Sequence, residues 1–160
     1  MGIAPTAVAG KTVVADVARR SVRKPTRWGD RGTIDNAAPD AVKQAMEATN
    51  GGAAAAIDFV GSPKTMEFGV NILRKGGKLV MVGLYGGACP ISTVLFPFKM
   101  MTIEGSYVGT PEDLRELLAL VQAGRVQPIP IETRPAEQAS AALSDLKSGG
   151  KVRGRVVLRH

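Results

Sequence analysis

The stretch that decides the fold runs from residue 54 to residue 84, AAAIDFVGSPKTMEFGVNILRKGGKLVMVGL. It opens with a short apolar run that Gly61 closes, and Ser62-Pro63 then supplies an N-cap and a first helical position. Gly76-Gly77 ends the helix that follows. Residues 78–84 form a second apolar run, of the kind found in strands buried on both faces of a sheet. The stretch therefore predicts a strand, a helix and a second strand parallel to the first.

The same alternation continues on both sides of this stretch. Short β-branched or apolar runs predict further strands at residues 11–17, 33–36, 102–108, 129–133 and 155–158. Apolar residues at helical spacing predict further helices at residues 39–49, 110–123 and 135–147. This alternation predicts an α/β fold with a doubly wound parallel sheet, whose ligands bind outside the carboxyl ends of the strands.

The helix predicted after Thr110-Pro111 has the strongest apolar pattern in the chain. Four of its residues recur at intervals of three and four and are predicted to form a buried stripe: Leu114, Leu117, Leu118 and Val121. Gly124 ends the pattern. We therefore expect this helix to pack one face against the rest of the protein.

The net charge of +7 comes mostly from one short segment. Residues 19–31 hold six basic residues against one acid, Asp30, so they carry a net charge of +5. Pro25 interrupts the segment, and no apolar stripe runs through it, so a solvated loop is expected there. The alternative is a site for a polyanion, with Trp28 stacking on a base, although no recognised nucleic-acid motif accompanies it.

The 160 residues include one cysteine, Cys89, and one histidine, His160. A single cysteine cannot form an internal disulfide, and the first residues do not resemble a signal peptide, so a cytoplasmic location is expected. One cysteine and one histidine are also too few ligands for a zinc site of these residue types. Cys89 is expected to be a packed small residue, not a nucleophile. Residues 79–98 lack charge but contain glycines and prolines that suit a strand and a loop better than a membrane span.

Three stretches together closely resemble the carboxyl-terminal half of zinc-type alcohol dehydrogenases, in the medium-chain dehydrogenase/reductase family. They are residues 57–87, residues 103–126 (IEGSYVGTPEDLRELLALVQAGRV) and residues 147–158 (KSGGKVRGRVVL). The resemblance covers residues 33–158. It implies that residues 1–125 form an incomplete Rossmann domain for NAD, and that residues 126–160 are terminal elements of the catalytic domain.

The resemblance implies roles on the adenosine side of the cofactor for four residues. Asp16, at a predicted strand end, would hydrogen-bond the ribose hydroxyls and favour NAD over NADP. Val60 and Gly61 would line the adenosine. Arg155 looks like the family's arginine that contacts the pyrophosphate, a use that suits its guanidinium group.

The resemblance also implies a nicotinamide side. Val82, Gly83 and Leu84 would line the nicotinamide, and Ser106 and Tyr107 would contact its carboxamide end. Glycines at such strand ends let a flat ligand approach the backbone closely. Each of these residues taken alone also suits a simple tight turn, so the prediction depends on their occurring together.

Two parts of the family pattern are absent from this sequence: the glycine-rich turn that binds the pyrophosphate, and the cysteine, histidine and glutamate ligands of the zinc. We therefore expect a truncated dehydrogenase that is inactive alone, with NAD binding weak or lost and no catalytic residue. The resemblance also suggests a homodimer formed through the sheet, using the strand that corresponds to residues 90–101 and its neighbours. The alternative function is a non-catalytic module that binds a protein partner or a polyanion through residues 19–31.

Overall fold

The computed structural model describes residues 12–16, 30–126, 129–148, 152 and 154–160, with the backbone alone described at residues 12–16 and 30–33. The chain divides into two compact units, Met1–Val108 and Gly109–His160.

The first unit contains five strands and three helices among the described residues. In chain order they are β1 (Thr12–Asp16), β2 (Asp30–Asp35), α1 (Ala41–Ala48), β3 (Ala53–Asp58), α2 (Pro63–Ile72), β4 (Leu73–Met81), α3 (Leu95–Lys99) and β5 (Thr102–Gly105). The described strands form two ladders, β1-β2 and β3-β4-β5, and every pairing in them is parallel. The predicted α/β fold with parallel strands is thereby confirmed.

The second unit contains two strands, two α-helices and a 3₁₀ turn among its described residues. They are α4 (Pro111–Gln122), β6 (Ile131–Pro135), the 3₁₀ turn Ala136–Gln138, α5 (Ala139–Ser148) and β7 (Arg155–Arg159). Strands β6 and β7 pair in parallel. Arg134 of β6 joins the strand to α5, because its Nη1 donates to Asp145 Oδ2 over 2.9 Å. Arg134 Nε also donates to Glu132 Oε1. The bond to Glu132, followed by the bond to Asp145, raises the pKa of Arg134 above its ordinary value.

Helix α2 contributes to both clusters of buried apolar residues in the first unit. One cluster contains Val70, Leu73, Leu79 and Met101, of which Leu73 and Leu79 are almost completely buried. The other contains Ile34, Ala41 and Ala45, and Phe68 and Ile72 of α2 pack against it. Burial of these side chains supplies the main driving force for folding of the unit.

The register of the β3-β4-β5 ladder separates its two faces. Ala56, Leu79 and Ile103 lie side by side on the face that the core covers. Ile57, Val80 and Glu104 lie side by side on the opposite face, because successive residues of a strand point to opposite sides. Ile57 is 58% exposed on that face.

The structure corrects several details of the sequence prediction. Strand β4 ends at Met81 and not at residue 84, because the next two amides, of Val82 and Gly83, both donate to the carbonyl of Asp58, the last residue of β3, and the regular ladder stops there. Helix α2 ends at Ile72 and not at residue 75, and Leu73 adopts an extended backbone. Helix α3 lies within residues 90–101, where the resemblance implied a strand and the glycines and prolines of the preceding segment indicated a loop.

The predicted buried stripe on α4 is wrong. Its four residues are between 39% and 56% exposed: Leu114, Leu117, Leu118 and Val121. Helical spacing places them on one face, but spacing alone does not supply a surface to cover that face.

In the described parts of the chain, no helix is long and apolar enough to cross a membrane.

Lys99 caps the carboxyl end of α2 from a distant part of the sequence. Its Nζ donates to the carbonyl oxygens of Val70, Asn71 and Leu73 over 2.9, 3.2 and 3.2 Å. The carbonyls of Val70 and Asn71 lie in the last turn of the helix and that of Leu73 directly follows it, where the backbone leaves acceptors unpaired and the helix dipole favours a cation.

We predict that Lys99→Met lowers the free energy of unfolding by about 2 kcal/mol, the cost of losing hydrogen bonds from a charged donor. Lys64→Met, at an exposed position on the same helix, is the control and should change stability by less than about 0.5 kcal/mol. Urea unfolding followed by circular dichroism measures both. Equal stability of the two variants would contradict the capping role of Lys99.

Helix α4 begins with a reciprocal capping box. The Thr110 amide and hydroxyl each donate to Asp113 Oδ2 over 2.7 Å, and the Asp113 amide donates to Thr110 Oγ1 over 3.2 Å. The hydrogen bond from the Thr110 backbone, followed by the one from its hydroxyl, lowers the pKa of Asp113.

Because the pKa of Asp113 is lower in the folded chain, its contribution to stability is complete above the ordinary aspartate pKa of about 3.9. The contribution is lost as the pH falls through the lower folded pKa. We predict that Asp113→Asn reduces the loss of stability on acidification below about pH 4, whereas Glu116→Gln, at an exposed site on the same helix, does not. Denaturant unfolding at a series of pH values measures this difference, and identical pH dependence in both variants would contradict it.

Candidate functional site

The carboxyl ends of β3, β4 and β5 lie at one edge of their sheet, because the three strands are parallel. We call residues 58–61, 82–86 and 105–107 the strand-end site. It contains seven of the nine residues that the sequence predicted to contact NAD: Val60, Gly61, Val82, Gly83, Leu84, Ser106 and Tyr107. The other two predicted residues lie on other strand pairs.

Asp58, the last residue of β3, connects most of this site. Its carbonyl oxygen accepts from the amides of Val82 and Gly83 over 2.9 and 3.0 Å. Its carboxylate Oδ1 accepts from the amides of Val60 and Gly61 over 2.9 and 3.0 Å. One residue therefore bonds four of the predicted cofactor contacts directly.

Asp58 is a buried residue, 7% exposed, and its carboxylate has a third donor. Thr65 Oγ1, in the first turn of α2, donates to Asp58 Oδ2 over 2.7 Å. A buried carboxylate loses its contacts with water, and hydrogen bonds must replace them. These three bonds do so, and they also tie the start of α2 to the end of β3.

Two glycines let the ends of β3 and β4 touch. Gly61 has φ +73°, and a Cβ added there would overlap the carbonyl group of Gly83. A Cβ added at Gly83 would overlap the carbonyl of Val60. Neither position has room for a side chain, so the close approach of the two backbones requires glycine at both.

The peptide groups of this turn are satisfied within the protein. The Val60 and Gly61 amides donate to Asp58, and their carbonyl oxygens accept from the Tyr85 and Gly86 amides over 3.0 and 3.2 Å. The backbone at Val60-Gly61 therefore offers a ligand an apolar surface and no vacant hydrogen-bond donor.

The start of α2 is capped in the same internal way. Ser62 Oγ accepts from the Thr65 amide, Thr65 Oγ1 accepts from the Ser62 amide, and Pro63 at the first position has no amide hydrogen. Helix N-termini bind phosphate when their amides are unpaired. Most amides of this turn already have partners, so α2 does not resemble such a phosphate site.

Three of the residues predicted to lie on the nicotinamide side are exposed to solvent. Leu84 and Tyr107 are 82% and 77% exposed, and Ser106 is also exposed. The Ser106 amide donates to the Met81 carbonyl over 2.9 Å, which joins the end of β5 to β4. A Cβ at Gly105 would meet nothing within 4 Å, so a ligand has room to approach the backbone there.

The structure does not place Asp16 and Arg155 in the strand-end site. Asp16 is the last residue of β1, in register with Asp35 of β2, and its side chain lies outside what the structure describes. Arg155 begins β7 in the second unit and is exposed, and its amide donates to the Pro130 carbonyl over 2.9 Å.

The basic segment lies mostly outside the described residues. Residues 17–29 are not described, and Asp30 and Arg31 begin strand β2. Cys89 is a free thiol of intermediate burial, three residues after Gly86, the last residue of the middle segment of the strand-end site.

The donors of this chain do not fit the zinc site that the resemblance implies. Among the described residues, no three histidine, cysteine, aspartate or glutamate side chains are grouped to hold a metal ion. The whole sequence has one cysteine and one histidine, which is fewer than such a zinc site requires.

Comparison with known proteins decides the family. A family model described as zinc-binding dehydrogenase matches residues 1–123. The chain belongs to this family. The NAD-dependent alcohol dehydrogenases of Sulfurisphaera tokodaii and Saccharolobus solfataricus are 34% and 32% identical to it over 154 residues. Each of these matches covers 95% of the chain and 44% of the relative.

Solved structures of the family agree. The alcohol dehydrogenase of Aeropyrum pernix superposes with a TM-score of 0.80 at 34% identity, over 92% of this chain and 42% of that protein. A structure of an NAD-dependent alcohol dehydrogenase superposes with a TM-score of 0.78 at 22% identity, which supports the Rossmann-like fold. The chain thus spans less than half the length of the family members that it matches.

Sequence reasoning missed Asp58. It is an acid at the end of an apolar strand and two residues before a Val-Gly pair, and such a residue is rarely buried without partners. That placement is the signal that identifies it. Its connections became visible when the structure showed which amides face its carboxylate.

We predict that Gly61→Ala destabilises the chain by more than about 3 kcal/mol, because the added Cβ overlaps the Gly83 carbonyl and adds to the strain of a positive φ. Gly76→Ala is a matched control, since Gly76 has φ +71° and open space around it. The control should cost about 1 kcal/mol.

Thermal unfolding of both variants and the unchanged chain gives the comparison. Equal destabilisation by the two alanines would show that backbone strain is the whole effect, and that the two strand ends do not need to touch.

Proposed function

We propose that this chain is the cofactor-binding part of an NAD-dependent alcohol dehydrogenase, which transfers hydride between an alcohol and a nicotinamide. In this proposal residues 1–125 form a partial Rossmann domain, and residues 126–160 are terminal elements of a catalytic domain. The observation that carries it is the strand-end site, in which Asp58 joins two strand ends that contain glycine. The chain that holds this site is 34% identical to an NAD-dependent alcohol dehydrogenase.

The residues of this chain divide the binding of NAD between them. The apolar turn at Val60-Gly61 receives the adenosine by van der Waals contact, and Asp16 accepts hydrogen bonds from its ribose hydroxyls. Arg155 pairs with the pyrophosphate, as a guanidinium fork suits a phosphate.

On the other side of the cofactor, the nicotinamide lies against residues 82–84, and Ser106 and Tyr107 orient its carboxamide. The bound nicotinamide supplies the hydride chemistry. The exposed side chains here leave the nicotinamide side open, which suits a surface that a second domain covers.

We propose further that the 160 residues alone bind NAD weakly and do not oxidise an alcohol. The donor set does not fit the zinc that would stabilise an alkoxide, and the sequence contains no glycine-rich turn to hold the pyrophosphate at a helix start. The chain therefore binds and orients the cofactor, and groups outside it must act on the alcohol.

Homodimerisation through the sheet and a location in the cytoplasm complete the proposal. Strand β5 is the outer strand of its ladder. The preceding segment, residues 90–101, exposes three large apolar side chains, Val94, Phe98 and Met100, each more than 60% exposed. Exposed apolar groups in such number are typical of a surface that another chain covers.

An NADH titration of the purified chain tests the cofactor site. We predict saturable enhancement of NADH fluorescence, which Asp16→Ala weakens by about tenfold or more because the ribose loses a charged acceptor. Glu47→Ala, which removes an exposed carboxylate on α1, is the control and should leave the affinity within about twofold.

Absence of binding up to millimolar NADH, in a chain that circular dichroism shows to be folded, would contradict the proposed function. Salt-sensitive retention on DNA would then favour the second candidate, polyanion binding through residues 19–31, for which the net charge of +5 in that segment is the observation.

A further inference from the structure

We infer that Asp58 is a positioning residue that holds the two sides of the cofactor site by separate means. Its side chain fixes the adenosine-side turn at Val60-Gly61, and its main-chain carbonyl fixes the nicotinamide-side backbone at Val82-Gly83. The inference rests on the proposed function and names the residue that shapes the same site.

The hydrogen bonds divide cleanly between side chain and main chain. The amides of Val60 and Gly61 donate to carboxylate Oδ1, whereas the amides of Val82 and Gly83 donate to the carbonyl oxygen. Substitution of Asp58 by alanine removes the carboxylate that accepts from Val60 and Gly61 and keeps the main-chain carbonyl that accepts from Val82 and Gly83. The two sides of the site are thus separable by a single change of side chain.

The carboxylate also determines what the turn offers to a ligand. Two consecutive amides that point the same way form a site suited to an anion when they are vacant. Here both are directed at a buried carboxylate, so the turn is closed to phosphate. Its surface carries the side chains of Phe59 and Val60, 74% and 40% exposed, beside a glycine without a side chain. This surface suits the flat, uncharged face of a ribose or a base.

Removal of the Thr65 hydroxyl distinguishes a positioning role of Asp58 from general support of the fold. This hydroxyl donates to carboxylate Oδ2 and completes the capping box of α2, but it does not contact the amides of Val60 and Gly61. Removal of the hydroxyl therefore weakens the start of the helix and leaves Oδ1 in contact with the turn.

The conservative variant at position 58 keeps the decisive acceptor. The side-chain amide of asparagine has a carbonyl oxygen that can replace Oδ1, but its NH₂ group is a donor where Oδ2 accepts from Thr65. Asp58→Asn should therefore retain the turn at some cost in stability, whereas Asp58→Ala loses the acceptor for Val60 and Gly61 and the acceptor for Thr65.

The experiment compares Asp58→Ala, Asp58→Asn and Thr65→Val with the unchanged chain by two readouts. The first is amide hydrogen exchange, observed by NMR, at Val60, Gly61, Val82 and Gly83. The second is calorimetric binding of two halves of the cofactor, ADP-ribose and nicotinamide mononucleotide. Denaturant unfolding of each variant records its stability.

We expect Asp58→Ala to raise amide exchange at Val60 and Gly61 by tenfold or more, and at Val82 and Gly83 by much less. ADP-ribose should bind about tenfold more weakly, and nicotinamide mononucleotide within about threefold of the unchanged chain. Asp58→Asn should restore most of the protection and of the ADP-ribose affinity. Thr65→Val should lower stability with ADP-ribose affinity nearly unchanged.

Equal loss of protection at all four amides, or equal weakening of both cofactor halves, would overturn the inference, because Asp58 would then support the fold as a whole. A destabilised Thr65→Val variant that loses ADP-ribose as strongly as Asp58→Ala would overturn it for the same reason. If the unchanged chain binds neither half, the proposed function fails. In that case, amide exchange in the two Asp58 variants alone tests the inference. It shows whether the side chain holds Val60-Gly61 and the main-chain carbonyl holds Val82-Gly83.

Discussion

The hydrogen bonds of Asp58 are the constraint on which the strand-end site depends. A buried carboxylate is stable in the protein interior when donors surround it, and here the donors come from two different places: the turn that follows it and the first turn of α2. Its carbonyl adds the end of β4 to the same group. The end of one strand therefore determines the positions of two backbone segments and one helix.

The helix that Asp58 anchors is also the element around which the first unit packs. Helix α2 gives Val70 to one buried cluster, and its Phe68 and Ile72 pack against the other. Lys99 satisfies its carboxyl end, and the Ser62-Thr65 capping box satisfies its amino end. With both ends capped, the helix carries few unpaired backbone groups, and the strand-end site is supported by a firmly held element.

The two sides of the site differ in hydrogen bonding and in exposure to solvent. The Val60-Gly61 backbone is fully hydrogen-bonded and presents an apolar surface, whereas Leu84 and Tyr107 on the other side are largely exposed. This asymmetry suits a long ligand that is held at one end by shape and reaches its reaction partner at the other. The chain spans less than half the length of the alcohol dehydrogenases that it matches.

The sequence by itself determined the α/β fold, the positions of most strands and helices and the capped starts of α2 and α4, because these features follow from local periodicity and from cap residues such as Ser62 and Thr110. It also indicated the strand-end glycines through the family resemblance. The tertiary structure alone decided that β4 ends at Met81, that the apolar stripe of α4 is exposed, and that Asp58 joins the two sides of the site. These features depend on contacts between segments far apart in the chain, and no local pattern specifies which donors will face a carboxylate or which surface will cover a helix.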